Sequence, residues 1–327
     1  MSHYDVVVLG CGPAGERAAI QATRASKKVA VVERHSVVGG NRVNWGTIPS
    51  KSLRESAVFF YQLTRSRLHG IRYEVLPELT VADFMQRERV VVRRELELIG
   101  ESLGRYAVDV VHGHARFAGP NAVAVRPPSG TELKTLTADY FVIATGSRPN
   151  RPDDVPFDGE TVFDSETILQ LPRIPKTMTV LGAGVVGIEY ASIFAALGIA
   201  VTLVDTRDQL LPYFDREIVA TLVRELGELG VSVLHDDRYA RFTRLAGTPA
   251  RIACETRAGR RIESDVLLYC VGRDGNTSDI GLGTLGIAPG KYGLLEVNEN
   301  YQTVHPHIYA VGDVIGYPAL ASTAMEQ

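Results

Sequence analysis

The sequence predicts an α/β chain built from two Rossmann-like, three-layer units, and three observations carry that reading. A glycine-rich turn stands between a short apolar run and a helical stretch twice over, with the same internal spacing. Further apolar strands close on glycine: one ends through Ile143–Gly146, one is Val266–Val271 before Gly272, and one is Ile308–Asp313, finishing on Gly-Asp. The 327 residues, 45% hydrophobic and 22% charged, are enough to bury about two cores.

In the first unit, strand Val6–Leu9 runs into Gly10-Cys11-Gly12-Pro13-Ala14-Gly15, a helix follows to about Ala25, and a second strand, Val29–Val32, ends at Glu33. The first glycine permits the tight turn, the second lets the backbone approach a pyrophosphate, and the third lets helix and strand pack closely. Pro13 suits the first helical turn, where a missing N–H costs nothing. The free N–H groups and the helix dipole then face an anion, and Glu33 can accept hydrogen bonds from a ribose.

The pattern returns in Thr179–Leu181, Gly182-Ala183-Gly184-Val185-Val186-Gly187, a helix to about Leu197, strand Ala200–Val204 and Asp205. Gly182, Gly187 and Asp205 each lie 172 positions after Gly10, Gly15 and Glu33. Two dinucleotide sites in one chain imply two different dinucleotides. Asp205 with Arg207 offers a carboxylate for a free ribose 2′-OH and a guanidinium for a 2′-phosphate; the alternative is a surface Arg207 and a plain preference for NAD.

The Pro- and Asp-rich Asn150–Pro156 reads as a linker, so the expected divisions are 1–148, 149–272 and 273–327. Thr80–Tyr106 has helical periodicity with many charges and reads as a solvated helix over the first domain. Val110–Phe117 reads as one strand with His112 and His114 on a shared face, and with no third ligand nearby they are read as strand residues rather than metal ligands.

A formal net charge of −3 gives no general attraction for nucleic acid or anionic membranes. The start Met1–Asp5 lacks a signal peptide's basic and apolar regions, which points to the cytoplasm. The apolar run Ile193–Val204 falls short of the roughly 20 residues of a membrane helix and reads as helix, turn and strand. The three cysteines, Cys11, Cys254 and Cys270, form no Cys-x-x-Cys pair, so neither a zinc site nor a disulfide framework is indicated.

Together these features resemble the flavoprotein disulfide reductase family, which includes lipoamide dehydrogenase and glutathione reductase. The resemblance covers the whole chain and implies that the first unit binds FAD, that an inserted second unit binds NAD(H) or NADP(H), that Glu33 holds the FAD adenosine ribose, and that Asp313 after Gly312 meets the ribityl hydroxyls. Where the disulfide reductases carry Gly-Gly-x-Cys-x-x-x-Gly-Cys-x-Pro, this chain has Gly39-Gly40-Asn41-Arg42 through Gly46-Thr47-Ile48-Pro49. Arg42 and Thr47 stand at the two cysteine positions, and neither can form a thiolate, so disulfide reduction is chemically excluded there. Trp45–Lys51 and the tail from Val311 are similar to those of the soluble, Si-specific pyridine nucleotide transhydrogenases, a branch of this family. Arg42 departs from members that keep one cysteine, which leaves flavin tuning by Arg42 open.

The resemblance extends the cofactor-contact set to Gly10, Gly12, Pro13, Ala14, Gly15, Glu33, Arg34, Gly39, Gly40, Asn41, Arg42, Thr47, Thr145, Gly146, Gly182, Gly184, Val185, Val186, Gly187, Asp205, Arg207, Gly272, Arg273, Gly312 and Asp313. It also implies that Lys51 approaches flavin N5 as a buried cation paired with Glu189; the alternative for both is an ordinary helix residue with a solvated head. With one nicotinamide unit and no dithiol, electrons leave where they entered, and a ping-pong exchange of hydride between NADPH and NAD+ through FAD follows. The competing readings are an NAD(P)H oxidase or quinone reductase and a non-catalytic dinucleotide sensor. Family members continue into a C-terminal dimerisation domain, absent here, so a truncated chain is expected, with a homodimer for the full-length protein.

Overall fold

The structure is a computed structural model that describes residues 2–64, 80–128, 130 and 133–327. From the N-terminus the chain forms β1 (Ser2–Leu9), α1 (Pro13–Arg24), β2 (Val29–Glu33), α2 (Gly40–Asn44), α3 (Thr47–Thr64), α4 (Val81–Phe84), α5 (Gln86–Arg105), β3 (Asp109–His112), β4 (His114–Gly119), β5 (Ala122–Arg126) and β6 (Lys134–Ile143). It continues through β7 (Ser147–Pro149), β8 (Val162–Asp164), β9 (Thr177–Leu181), α6 (Val185–Ala196), β10 (Ala200–Val204), α7 (Arg216–Glu228), β11 (Val231–Leu234), β12 (Tyr239–Leu245), β13 (Arg251–Thr256), β14 (Arg261–Ser264), β15 (Val266–Tyr269), β16 (Arg273–Gly275), β17 (Ile308–Ala310) and α8 (Ala321–Glu326).

Two compact units result: residues 1–47, 92–148 and 273–327, and residues 48–91 and 149–272. In the first, the sheet order is β3-β2-β1-β6-β5-β4, with β17 also on β6. β1 pairs in parallel with both β2 and β6. The long β6 divides its other edge: its first half takes β5 antiparallel, and Phe141–Ile143 take β17 in parallel. All five residues of β2 are buried, the continuous apolar run expected of a parallel strand covered on both faces.

The second unit has a five-stranded parallel sheet, β11-β10-β9-β15-β8, beside an antiparallel meander, β12-β13-β14. α6 buries Ile188, Tyr190, Ala191, Ile193, Phe194 and Ala195, so it is apolar nearly all round and packs as an interior helix.

Four sequence expectations are corrected. Thr80–Tyr106 is two helices rather than one: the hydrogen-bonded capping box of Thr80 and Asp83 starts α4, a break at Met85 precedes α5, and only from Val92 onward does the segment group with the first unit. Residues 48–91 group with the second unit because Phe84, Met85, Leu53 and Ala57 are buried in its core. Burying a Leu, Phe or Met contributes about 1.5–3 kcal/mol each, while charged residues next to them in the chain stay on the solvent side.

Val110–Phe117 is two strands. The chain turns at Gly113, whose φ of +157° favours glycine, and passes from parallel pairing with β2 to antiparallel pairing with β5. His112 then meets the His35 carbonyl at 2.8 Å and His114 meets Asp279 at 2.8 Å, so the two rings have separate partners. Among the described residues no group of three His, Cys, Asp or Glu side chains is placed to hold a metal ion. The last two corrections concern strand ends. β15 stops at Tyr269 rather than Val271, and β17 stops at Ala310, with Gly312–Ile315 forming a single 3-10 turn that lifts Asp313 off the strand. Ile193–Val204 divides into the end of α6, a turn and β10. Among the described residues no helix is long and apolar enough to cross a membrane.

Candidate functional site: two matched nucleotide cradles

The repeated motif folds into two cradles that agree bond for bond. Gly10 N donates to Val32 O at 2.8 Å, and Gly182 N to Val204 O at 2.8 Å. Gly12 and Gly184 cap α1 and α6 in the same extended conformation, with φ −80° and −78°. The acid that ends the second strand bonds back into the turn: Glu33 Oε2 accepts from Cys11 N at 2.8 Å, and Asp205 Oδ2 from Ala183 N at 2.6 Å. Their other oxygens accept from His35 N at 3.0 Å and Arg207 N at 2.9 Å. Buried backbone donors thus hold both carboxylates at the end of a strand, beside the helix N-terminus that attracts a pyrophosphate.

In the first unit, Pro13 and Ala14 open α1, and Ala14 lies against Gly312. Gly39 and Gly40 start α2, where Gly40 approaches Gly12 so closely that a Cβ on it would lie 2.6 Å from the Gly12 Cα. Arg34 is exposed and donates to His35 at 3.1 Å, while Thr47 is exposed at the start of α3. Asp313 accepts from Ser147 Oγ at 2.8 Å, and Ser147 in turn accepts from Arg273 Nε at 2.9 Å. Asn276 is anchored on the carbonyls of Thr145 and Gly146.

Three buried atoms around this cradle, Asn41 Oδ1, Thr145 Oγ1 and Asn276 Oδ1, have no hydrogen-bond partner, and Arg42 Nε shares that condition. Buried polar atoms are seldom left so, and a polar ligand such as FAD would satisfy them. The residues present therefore fit the dinucleotide.

Arg42 itself leans on α5, with Nη2 3.3 Å from Glu95 Oε2. Burial raises the pKa of the nearby Glu16 carboxyl, and the Arg42 charge opposes that rise. Burial, reinforced by the charge of Glu33, pushes the Cys11 thiol up to about 12, so the only cysteine in this cradle is an inert thiol.

In the second unit, Gly182, Gly184 and Asp205 line a cleft of about 890 Å³ that also takes in Arg207, Tyr269, Cys270 and Gly272. Val185 is exposed and Val186 half-buried at the start of α6, and Gly187 packs on the turn. Arg207 grips Asp205 through Nε on Oδ1 and Nη2 on Oδ2, each at 2.7 Å. Burial alone would raise the Asp205 carboxyl, but these hydrogen bonds and the two backbone donors together hold it below the usual carboxylate range.

Also in this unit, Lys51 Nζ donates to Glu189 Oε1, which accepts from Ser50 Oγ as well at 3.3 Å. The Lys51 side chain is 57% exposed and that of Glu189 20%.

The sequence reading missed Ser147 and Asn276 in the first unit and Arg238, Tyr239 and Arg257 in the cleft of the second. Ser147 directly follows the Thr145-Gly146 turn, which was the available signal; the others stand beside no motif.

These two cradles on two α/β units define a flavin- and nicotinamide-nucleotide oxidoreductase fold, and the chain belongs to the pyridine nucleotide-disulphide oxidoreductase family, whose pattern matches residues 4–327. It is 43% identical over 328 residues to a soluble pyridine nucleotide transhydrogenase of Mycobacterium tuberculosis, covering all of this chain and 69% of that protein. A protein of the same name from Vibrio parahaemolyticus is 42% identical over 327 residues, again with 100% and 69% coverage. Among solved structures it is similar to LpdA of Mycobacterium tuberculosis, with a TM-score of 0.90 and 27% identity over all of this chain and 71% of that one. The flavoprotein disulfide reductase RclA of Escherichia coli gives 0.87 and 26%, over 100% and 69% of the two chains.

Proposed function

We propose that the protein is an FAD-dependent pyridine nucleotide transhydrogenase, exchanging hydride reversibly between NADPH and NAD+. The observation that carries this reading is the pair of matched cradles combined with Arg42 and Thr47 where a redox disulfide would stand. When bound, FAD accepts the hydride of one nicotinamide nucleotide and returns it to another.

The chain's own residues do the positioning. The turn Gly10–Gly15 takes the FAD pyrophosphate on the N–H groups of α1, Glu33 the adenosine ribose and Asp313 the ribityl hydroxyls. Gly182–Gly187 does the same for the nicotinamide nucleotide, with Asp205 at its ribose. Lys51, steered by Glu189, is the cation assigned to the hydride-transfer step. Because one cradle serves both nicotinamides in turn, the first product leaves before the second substrate binds. A homodimer and a cytoplasmic address belong to the same reading, supported by the resemblance to the soluble transhydrogenases.

The test is a visible spectrum of the purified protein. The oxidised flavin band should be bleached by NADPH and restored by NAD+ without oxygen. Restoration by air or a quinone, with none by NAD+, marks an oxidase or quinone reductase instead, and an unbleached band marks a non-catalytic binder.

A further inference from the structure

The second unit's cleft holds two cations outside the repeated motif. Arg238 and Arg257 both line it. Arg257 N donates to Arg238 O at 2.7 Å, which sets their backbones side by side. Arg238 directly follows Asp237, whose N–H bonds Asp205 O at 3.0 Å, so the pair stands one strand over from the carboxylate that ends β10. Both residues are exposed to the cleft.

The acids around them are largely spoken for. Asp205 is gripped by Arg207, and Asp237 is held by Arg260 at 2.8 Å. Asp236 remains as the exposed acid of the rim, against two guanidiniums. Neither Arg238 nor Arg257 forms an ion pair among the described residues; Arg238 lies only beside the Tyr239 ring, 5.8 Å from its centre.

Arg207, the obvious residue for a 2′-phosphate, is committed elsewhere. Turning it toward a ligand would strip the counter-charge from a carboxylate whose side chain is 3% exposed. Arg238 and Arg257 can turn without that loss, and guanidinium groups match phosphate with paired charged hydrogen bonds.

We propose that Arg238 and Arg257 bind the 2′-phosphate of NADP(H), while Asp205, still clamped by Arg207, receives the free 2′-hydroxyl of NAD(H). The inference rests on the transhydrogenase reading and explains how one cleft accepts both nucleotides: their 2′ substituents meet different side chains.

The experiment uses the flavin-loaded protein and two fragments that differ only in the 2′-phosphate, adenosine 2′,5′-bisphosphate and 5′-AMP, with binding measured by calorimetry. Arg238→Gln and Arg257→Gln should each weaken the bisphosphate about tenfold, and the double variant by about a hundredfold, with 5′-AMP unchanged within about twofold. Undiminished bisphosphate binding in the double variant overturns the proposal, and a selective loss in Arg207→Gln alone moves the phosphate to Arg207. Equal loss of both fragments also overturns it, by reducing the arginines to a role in cleft shape. Failure of the underlying reading looks different: the unmodified protein would bind neither fragment, and NADPH would leave the flavin band unbleached.

Discussion

Gly15 and Gly187 are equivalent residues of two separate cradles: a Cβ on either falls 1.9 Å from the carbonyl oxygen of the glycine that opens its own turn, Gly10 or Gly182. The obstruction is backbone, so it cannot rotate away, and an added methyl must push the helix off the strand at a cost of about 1–3 kcal/mol. Gly15→Ala should lose flavin on gel filtration while still binding 5′-AMP. Gly187→Ala should keep its flavin and lose 5′-AMP. Absorbance of the eluted protein and calorimetry read the two losses separately, and a variant that loses both ligands would contradict the independence of the cradles.

Asp205 yields a prediction about pH. Its folded pKa is depressed, so its contribution to stability is complete above the unfolded value of about 3.9 and is lost as the pH falls through the folded value. Asp205→Asn should therefore cost about 1–3 kcal/mol near neutral pH, toward the lower end because the Arg207 side chain is 39% exposed. Urea unfolding near pH 7 and near pH 3 checks this. The difference should be full at the higher pH and begin to shrink at the lower, and a constant difference would show that the carboxylate's charge is not what is lost.

Cys11 should be chemically silent. With its thiol pushed up to about 12, only about one molecule in ten thousand is a thiolate near pH 8. Iodoacetamide should leave Cys11 unmodified in the native flavin-loaded protein and label it in urea, as mass spectrometry of the peptide would show. The reduced protein should also lack a long-wavelength thiolate-to-flavin band; such a band would mean that a cysteine reaches the ring after all.

The cradles were legible because their cause is local. A tight turn, a helix start and a close approach are all written within a few consecutive residues, and the repetition 172 positions later removes coincidence. What failed to be legible depended on partners distant in sequence. Charges are interspersed all along Thr80–Tyr106, and nothing within the segment says that Phe84 and Met85 will share a core with Leu53 and Ala57. Gly113 lies inside the run that reads as one strand, Val110–Phe117, and only its two different neighbours, β2 and β5, divide that run. Arg238 and Arg257 resemble any exposed arginine in sequence, because the cleft that gives them meaning is closed by the β13–β14 hairpin.

The last prediction concerns Arg42 and Thr47, at the positions that the resemblance assigns to the cysteine pair of the disulfide reductases. Arg42 now answers two acids, Glu95 at 3.3 Å and the buried Glu16. Arg42→Cys removes that cation and should cost about 1–3 kcal/mol. The sign of its pH dependence follows from Glu16, whose folded pKa is already raised by burial: such a carboxyl destabilises the folded state increasingly as pH rises above its ordinary value of about 4.5. Without Arg42 the folded pKa rises further, so the penalty should be largest near neutral pH and shrink near pH 4, measured by urea unfolding. Arg42→Cys alone should acquire no disulfide reductase activity, since Thr47 supplies no second sulfur. Arg42→Cys with Thr47→Cys supplies both thiols, and on reduction it alone should show a thiolate-to-flavin absorbance band. The same band in the Arg42→Cys single variant would show that one sulfur suffices to reach the ring. Its absence from the double variant, with both thiols titrating as free, would show that the segment from Gly39 to Pro49 has departed from the disulfide reductase geometry and not only from its chemistry.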